Sequence, residues 1–403
     1  MINLQTIQEA KARLDGVISK SLFSYAPRLS ELSEANIYLK KENLQLTGAF
    51  KIRGAFNKIS NLSDEAKAKG VIAASAGNHA GGVAYSSKHF GISATIVMPE
   101  ATPLTKITRV EQYGANVILH GKNYDEAYAK AMELTEAKGL TFIHPFADDE
   151  IISGQGTIGL EILEENPDID AIVVPVGGGG LIAGVAAAAK AIKSDIKIIG
   201  VSAEGAPALN KSFHEKRPID TLEVKTIADG IAVRDTNPKN LELLLKHVDD
   251  VISVSDEEIA TAILFLMEQQ KLIVEGAGAT TVAAVLHEKI PNIEGKNIAL
   301  VLSGGNIDVT MLSVIIEKGL IKSQRKMKFV VTLVDKPGSL MSLTELLSQV
   351  GANIVQIDYD RTSVALDYGQ ANVIMAVETK GVSHQELIKS TLEKNGYNIK
   401  ELF

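Results

Sequence analysis

Cysteine is absent from all 403 residues, which excludes disulfides, cysteine-ligated zinc, iron–sulfur clusters and thiol catalysis together. Tryptophan is also absent and aromatics make up only 5%, too few for the stacking platforms that hold single-stranded nucleic acid. Positive charge is not in excess: 41 Lys and Arg face 49 Asp and Glu, a net charge of −8. An acidic chain without a dense basic face is poorly suited to phosphate backbones, so no nucleic-acid partner is expected. Long hydrophobic runs are scarce. Ala171 to Ala189 is uncharged, but it contains Pro175 and four consecutive glycines, which a membrane-spanning helix tolerates poorly. The start spaces Leu4, Ile7 and Leu14 helically among charges, with no apolar signal core. No membrane association is expected, and a cytoplasmic location is. The eight histidines form no HxxxH or HExxH pairing, and no GxSxG elbow occurs, so neither a metal site nor a serine hydrolase is expected.

What is present is an ordinary globular composition, 45% hydrophobic and 22% charged, long enough for roughly two to three domains. Short apolar runs alternate with longer Ala-, Glu- and Lys-rich stretches. Val71–Ser75, Ala94–Met98, Asn116–Leu119, Ala171–Val176, Ile196–Ser202, Val251–Val254 and Ile298–Leu302 read as strands, and Tyr124–Lys138 and Asp256–Gln270 as helices. Continuous rather than alternating apolar strands predict α/β architecture with parallel sheets covered on both faces.

Lys318–Lys328 holds five basic residues in eleven and reads as a linker or exposed turn, placing a boundary near residue 320. Beyond it the pattern predicts a strand at Phe329–Val334, a turn at Asp335-Lys336-Pro337-Gly338 and a helix over Ser339–Val350. Two strands, Ala352–Tyr359 and Ala371–Glu378, a helix near Ser383–Lys394 and a last strand at Asn398–Phe403 complete a ferredoxin-like βαββαβ unit.

Gly177-Gly178-Gly179-Gly180 sits between a buried strand and the apolar Leu181–Lys193. Without Cβ atoms, successive N–H groups can converge on one anion, and the following helix adds its dipole. That context favours phosphate binding over a flexible linker, and the lack of a following Lys-Ser/Thr argues against nucleotide hydrolysis. Gly154-Gln155-Gly156-Thr157-Ile158-Gly159 has GxGxxG spacing but no strand directly before it, so it reads as close helix packing rather than a dinucleotide site. Lys51 lies among small and apolar residues in Thr47–Ala55. Alone it reads as a solvated helix lysine, but an apolar pocket would lower its pKa and free the amine for a Schiff base. Ser75-Ala76-Gly77-Asn78-His79 and Ser303-Gly304-Gly305-Asn306 each follow a strand-like run. Three strand–glycine turn–helix junctions suggest one site at the carboxyl ends of a parallel sheet.

GAFKIRGA, SAGNHA, PVGGGGL and LSGGN, in that order and joined by KKENLQLTG, GQGTIGLEI and VEGAGA, resemble the fold-type II pyridoxal-phosphate enzymes, most of all the threonine ammonia-lyases. The resemblance covers about residues 1–320 and implies two parallel-sheet α/β subdomains, as in the tryptophan synthase β-chain, the smaller (about 45–145) inserted in the larger. It implies pyridoxal 5'-phosphate as cofactor, with Lys51 joined to it and Phe50 flanking its ring. Asn78 would bond the ring oxygen, Gly177, Gly178, Gly179, Gly180 and Leu181 would hold the phosphate, and Ser303 would face the pyridine nitrogen. Glu275 would lie near the site, and Ser75, Asn78 and His79 would receive the substrate carboxylate. The implied reaction is β-elimination of threonine, with serine as a slower substrate. A serine or threonine racemase, or another β-replacement enzyme, is the alternative, disfavoured because Ala76 stands where related racemases carry a second serine. Gly81 replaces a glutamine usual in dehydratases, and Glu204 lacks the further acidic ligand of cation-binding relatives. A nicotinamide dehydrogenase built on GQGTIG, or an amino-acid sensor with an inert front half, leaves the Lys51 context unexplained. The tail resembles an ACT regulatory domain, which implies an amino-acid effector near Asp335, Lys336, Pro337, Gly338 and Ser339 and pairing into a homodimer or homotetramer. The division expected is therefore catalytic 1–320, linker 321–327 and regulatory 328–403.

Overall fold

The computed structural model describes residues 2–402, which divide into two compact units at Ile307/Asp308.

The first unit contains two sheets. The larger has six strands in the order Phe23–Tyr25, Asn36–Lys40, Asn297–Val301, Ala171–Pro175, Lys197–Ala203 and Asp250–Val254. Only the first pair is antiparallel. The smaller sheet is wholly parallel, in the order Asn116–Leu119, Ala94–Met98, Val71–Ala74 and Thr141–Phe142. All four of its strands come from the stretch of chain between the second strand of the large sheet and Ala171–Pro175. Val71–Ala74 and Ala171–Pro175 are buried at every position, as expected of strands covered on both faces.

Helix packing explains the GxGxxG segment. It lies inside the helix Asp149–Glu165, away from any strand-to-helix turn. A Cβ on Gly154 would come within 2.6 Å of the Arg53 carbonyl oxygen; one on Gly156 or Gly159 would meet the Gly184 or Val185 carbonyl at 2.9 or 2.8 Å. The glycines let this helix approach both Lys51–Ser60 and Gly180–Ile192. A large apolar core containing Ile152, Ile158, Ile162, Val174, Ile182 and Val185 surrounds the second of these contacts. Each such side chain contributes on the order of 1.5–3 kcal/mol of hydrophobic stabilisation.

The second unit opens with the helix Val309–Lys322 and continues as βαββαβ: Lys326–Val334, Ser339–Gln349, Asn353–Asp360, Gln370–Glu378, Val382–Lys394 and Ile399–Glu401. Its four-stranded sheet is antiparallel, with Gln370–Glu378 and Lys326–Val334 central and the other two strands at the edges. Alternate residues Met327, Phe329, Val331 and Leu333 face its own core.

Two expectations are corrected here. The division falls at residue 307 rather than near 320, because Val309–Lys322 is helical and belongs to the second unit. The segment 321–327 is not a linker: the helix runs to Lys322 and the next strand begins at Lys326. The Asp308 side chain caps that helix, and Lys326 pairs with Glu317 at 2.6 Å, so the basic run is carried on ordered elements.

Candidate active site

Two strand-to-helix junctions of the first unit and the loop after a third strand supply the site; among the described residues no helix of that unit follows the third strand, contrary to the pattern expected there. After Val71–Ala74 the chain turns through Ser75–Gly77, where the Ser75 hydroxyl accepts from the Gly77 N–H at 3.2 Å, and the helix Asn78–His89 begins. After Ala171–Pro175 the four glycines follow, Gly179 at φ +83°, where a side chain would be strained. The helix Gly180–Ile192 then starts with no side-chain cap, leaving its first N–H groups to an anion. After Asn297–Val301 come Ser303, buried to 2% exposure, and Gly304, which bridges to Ala49.

The glycine turn is walled closely. A Cβ on Gly177 would lie 2.7 Å from the Ile231 Cα, one on Gly178 2.5 Å from the Phe146 ring, and one on Gly180 2.6 Å from the Phe146 carbonyl oxygen. Leu181 is buried behind them.

Lys51 opens the helix that follows Phe50, and the Phe50 N–H donates to the Ser303 carbonyl at 3.0 Å. The Lys51 amine donates to the Pro145 carbonyl at 2.8 Å and lies 5.2 Å from the Phe50 ring centroid. Burial lowers its pKa to about 8, and the Glu275 carboxylate opposes that shift.

Asn78 donates to both carboxylate oxygens of Glu275, at 2.8 and 3.0 Å, and accepts from the Asn306 amide at 2.7 Å. Burial pushes the Glu275 carboxyl up, against the pull of Asn78 and of the Asn306 backbone N–H. Asn306 also donates to the Thr47 carbonyl at 2.9 Å. These bonds tie the small-sheet helix at Asn78 to the loop after the large sheet's strand.

His79 turns its side chain into the core. Its ring is 3% exposed and bonds the Ile143 carbonyl at 2.8 Å, so the side chain is withdrawn from the turn and only its backbone can serve there. Burial and the nearby Lys51 charge lower its pKa to about 3. His144 is likewise held down to about 4, chiefly by burial, and its Nδ1 accepts from the Phe146 and Ala147 N–H groups.

Sequence reasoning did not find Asn306 as a tie or the His144–Phe146 turn as a wall. Asn306 had a local signal, following two glycines at the end of a strand; a carbonyl acceptor at Pro145 had none. Asp335, Lys336, Pro337, Gly338 and Ser339 lie in the second unit. There the Asp335 carboxylate accepts from the Tyr359 hydroxyl at 3.0 Å, and Gly338 (φ +90°) precedes the helix Ser339–Gln349.

A desolvated amine able to lose its proton near neutrality and a capless cup of glycines in one unit suit a ligand carrying both an aldehyde and a phosphate. That defines the class: residues 17–304 match the pyridoxal-phosphate dependent enzymes, and the chain belongs to that family. It is 47% identical to the L-threonine ammonia-lyase of Thermotoga maritima over 400 residues, 99% of each chain. Among solved structures it is similar to threonine deaminase isoform 2 of Solanum lycopersicum, with 41% identity, a TM-score of 0.75 and coverage of 78% of this chain and 87% of that one. Maize serine racemase is also similar, with 36% identity, a TM-score of 0.75 and coverage of 80% and 99%. Pyridoxal phosphate is the cofactor, and the fold is the type II arrangement of parallel α/β sheets followed by a small antiparallel unit. Among the described residues no helix is long and apolar enough to cross a membrane.

Proposed function

We propose that this chain deaminates L-threonine to 2-oxobutanoate and ammonia, with L-serine to pyruvate as a slower reaction. The observation that carries the reading is Lys51: an amine with a pKa of about 8, in one unit with an uncapped glycine turn, in a chain 47% identical throughout to a threonine ammonia-lyase.

Lys51 would hold the cofactor's aldehyde carbon, Phe50 would flank its ring, and Gly177–Leu181 would take its phosphate through backbone N–H groups. When bound, pyridoxal phosphate supplies an electron sink conjugated to the substrate's α-carbon. The residues do the rest. The N-terminal N–H groups of the helix Asn78–His89, presented by the Ser75–Gly77 turn, bind and orient the substrate carboxylate. Freed when the substrate's amino group takes its place at the cofactor's aldehyde carbon, the Lys51 amine would accept the α-proton at Nζ. Ser303 would offer the ring nitrogen a hydroxyl, which, unlike a carboxylate, would not hold a proton there, and a weaker sink would favour prompt loss of the β-hydroxyl. Asn78 has both polar atoms engaged by Glu275 and Asn306, so bonding the ring oxygen requires it to exchange one of these partners.

The second unit is proposed as an ACT-type regulatory domain binding an amino acid near Asp335–Ser339, in a cytoplasmic homodimer or homotetramer. The βαββαβ order of the unit supports the ACT-type reading. The central test is the visible spectrum of the purified protein before and after L-threonine, with 2-oxo acid assayed in the same cuvette. A visible absorption band that L-threonine perturbs while 2-oxo acid accumulates is expected. A colourless protein that stays colourless when saturated with pyridoxal phosphate would sink the reading.

A further inference from the structure

Asn240 lies in the helix Pro238–His247, fully buried, and no motif marks it. Its side-chain NH₂ donates to two backbone carbonyls, Gly178 at 2.6 Å and Phe146 at 3.1 Å. The amide orientation follows from these partners: turned over, its oxygen would face two carbonyl oxygens. The buried Oδ1 has no donor among the described residues. An unpaired buried acceptor costs free energy; an apolar side chain of similar size would remove that penalty but take the donor away from the Gly178 and Phe146 carbonyls. Packing alone therefore does not account for the amide.

Both ties bear on the cup. A peptide whose carbonyl is held on one side presents the next N–H on the other, so fixing the Gly178 carbonyl fixes the Gly179 N–H. Asn240 also backs Gly179 itself, where a Cβ would stand 3.3 Å from the Asn240 Cβ. The Phe146 carbonyl is the same atom that Gly180 approaches most closely, and the preceding residue, Pro145, accepts from the Lys51 amine. One side chain thus joins the glycine turn to the loop that receives the lysine.

We propose that Asn240 is a positioning residue for the cofactor's phosphate: by holding the carbonyls of Gly178 and Phe146 it orients the N–H groups of the glycine turn toward that anion. The inference rests on the reading of Gly177–Leu181 as the phosphate cup. Cofactor-free protein is titrated, by absorbance, with pyridoxal phosphate and with pyridoxal, which has the same aldehyde but no phosphate. The proteins compared are the parent chain, Asn240→Ala and the more nearly isosteric Asn240→Leu, and inorganic phosphate is used as competitor.

Parent protein should prefer pyridoxal phosphate strongly. Each variant should lose about tenfold or more of that affinity while holding pyridoxal within about twofold, and phosphate should compete less well. Parent protein that binds the two aldehydes equally overturns the cup. A parent preference retained in full by both variants overturns the role of Asn240 and leaves the cup standing. Equal loss for both aldehydes also overturns it, because a merely structural role weakens them alike. If Asn240→Ala fails to fold, Asn240→Leu, which fills the space, decides the matter, and thermal unfolding without cofactor identifies the case.

Discussion

Arg53 grips Glu42 with two N–H···O bonds of 2.8 Å, and both side chains are completely buried. The same guanidinium holds Glu161 at 2.6 and 2.9 Å and Thr157 at 2.9 Å, and Lys40 pairs with Glu161 at 2.8 Å. Burial alone would lower the Arg53 pKa; the two glutamates outweigh it and hold it well above the usual value. Arg53 is two residues past Lys51, so this cluster fastens the lysine's helix to the helix Asp149–Glu165 and to the end of the strand Asn36–Lys40. Removing one partner of a buried pair leaves uncompensated charge at about 3–5 kcal/mol. Arg53→Met should therefore lower the thermal unfolding midpoint of the first unit by many degrees. Arg217→Met, which breaks an exposed pair with Glu215, should hardly move it. Equal shifts would remove the cluster's structural role.

Uptake of pyridoxal phosphate should follow the protonation of Lys51. Only the unprotonated amine attacks an aldehyde. A pKa of about 8 leaves roughly a tenth of it free at pH 7, against well under ~0.1% for an ordinary lysine. The uptake rate should rise about tenfold per pH unit below 8 and flatten above it. Glu275 favours the ammonium form, so Glu275→Gln should move the plateau to lower pH. Stopped-flow absorbance across pH 6–10 checks both signs, and a midpoint near 10 refutes the desolvated amine. Lys51→Ala should abolish turnover.

The glycine turn makes a steric prediction. An alanine at Gly180 would place its Cβ 2.6 Å from the Phe146 carbonyl oxygen and 3.0 Å from the Phe146 Cα, backbone atoms that cannot swing aside. Gly180→Ala should purify with less than about a tenth of the parent's cofactor. Gly338→Ala offers the contrast: φ is +90° and nothing lies within 4 Å, so the change costs only about 1–2 kcal/mol of backbone strain. Its cofactor content should match the parent's. Phosphate analysis of the purified proteins separates the two.

Legibility in the sequence tracked how local each signal was. Ala94–Met98, Asn116–Leu119 and Tyr124–Lys138 have the bounds their patterns predict, the last because Asn123 caps its start and Gly139 (φ +63°) ends it. Phe23–Tyr25 and Asn36–Lys40 escaped notice: one has three residues, and the other ends in a lysine whose burial depends on Glu161 and Glu165, far along the chain. The helix Val309–Lys322 was hidden by the basic run at its end. The glycine turn and Lys51 stood out because their chemistry needs residue types unusual in their setting. Asn240 and the Pro145 carbonyl did not, since an asparagine in an amphipathic helix and a backbone oxygen look like any others until the fold brings them to the cup.

The last prediction concerns the second unit. The Asp335 N–H bonds the Gly369 carbonyl at 2.8 Å, while its carboxylate takes the Tyr359 hydroxyl at 3.0 Å and lies 3.5 Å from the Arg361 guanidinium. Those bonds fix the turn that ends at Gly338, and the helix Ser339–Gln349 begins with no side-chain cap on its first N–H groups. A free amino acid offers a carboxylate for such a helix start and an ammonium for a carboxylate such as Asp335. With the whole chain, isoleucine is the first amino acid to titrate, and it should bind by calorimetry and change the rate on threonine. Asp335→Ala should leave the rate without effector unchanged, because the residue lies outside the catalytic unit, and raise the isoleucine concentration needed for half effect about tenfold. Calorimetric and kinetic titrations that stay flat for isoleucine, valine and serine would leave the tail without an effector. An Asp335→Ala protein that responds as the parent does would move the effector away from this turn.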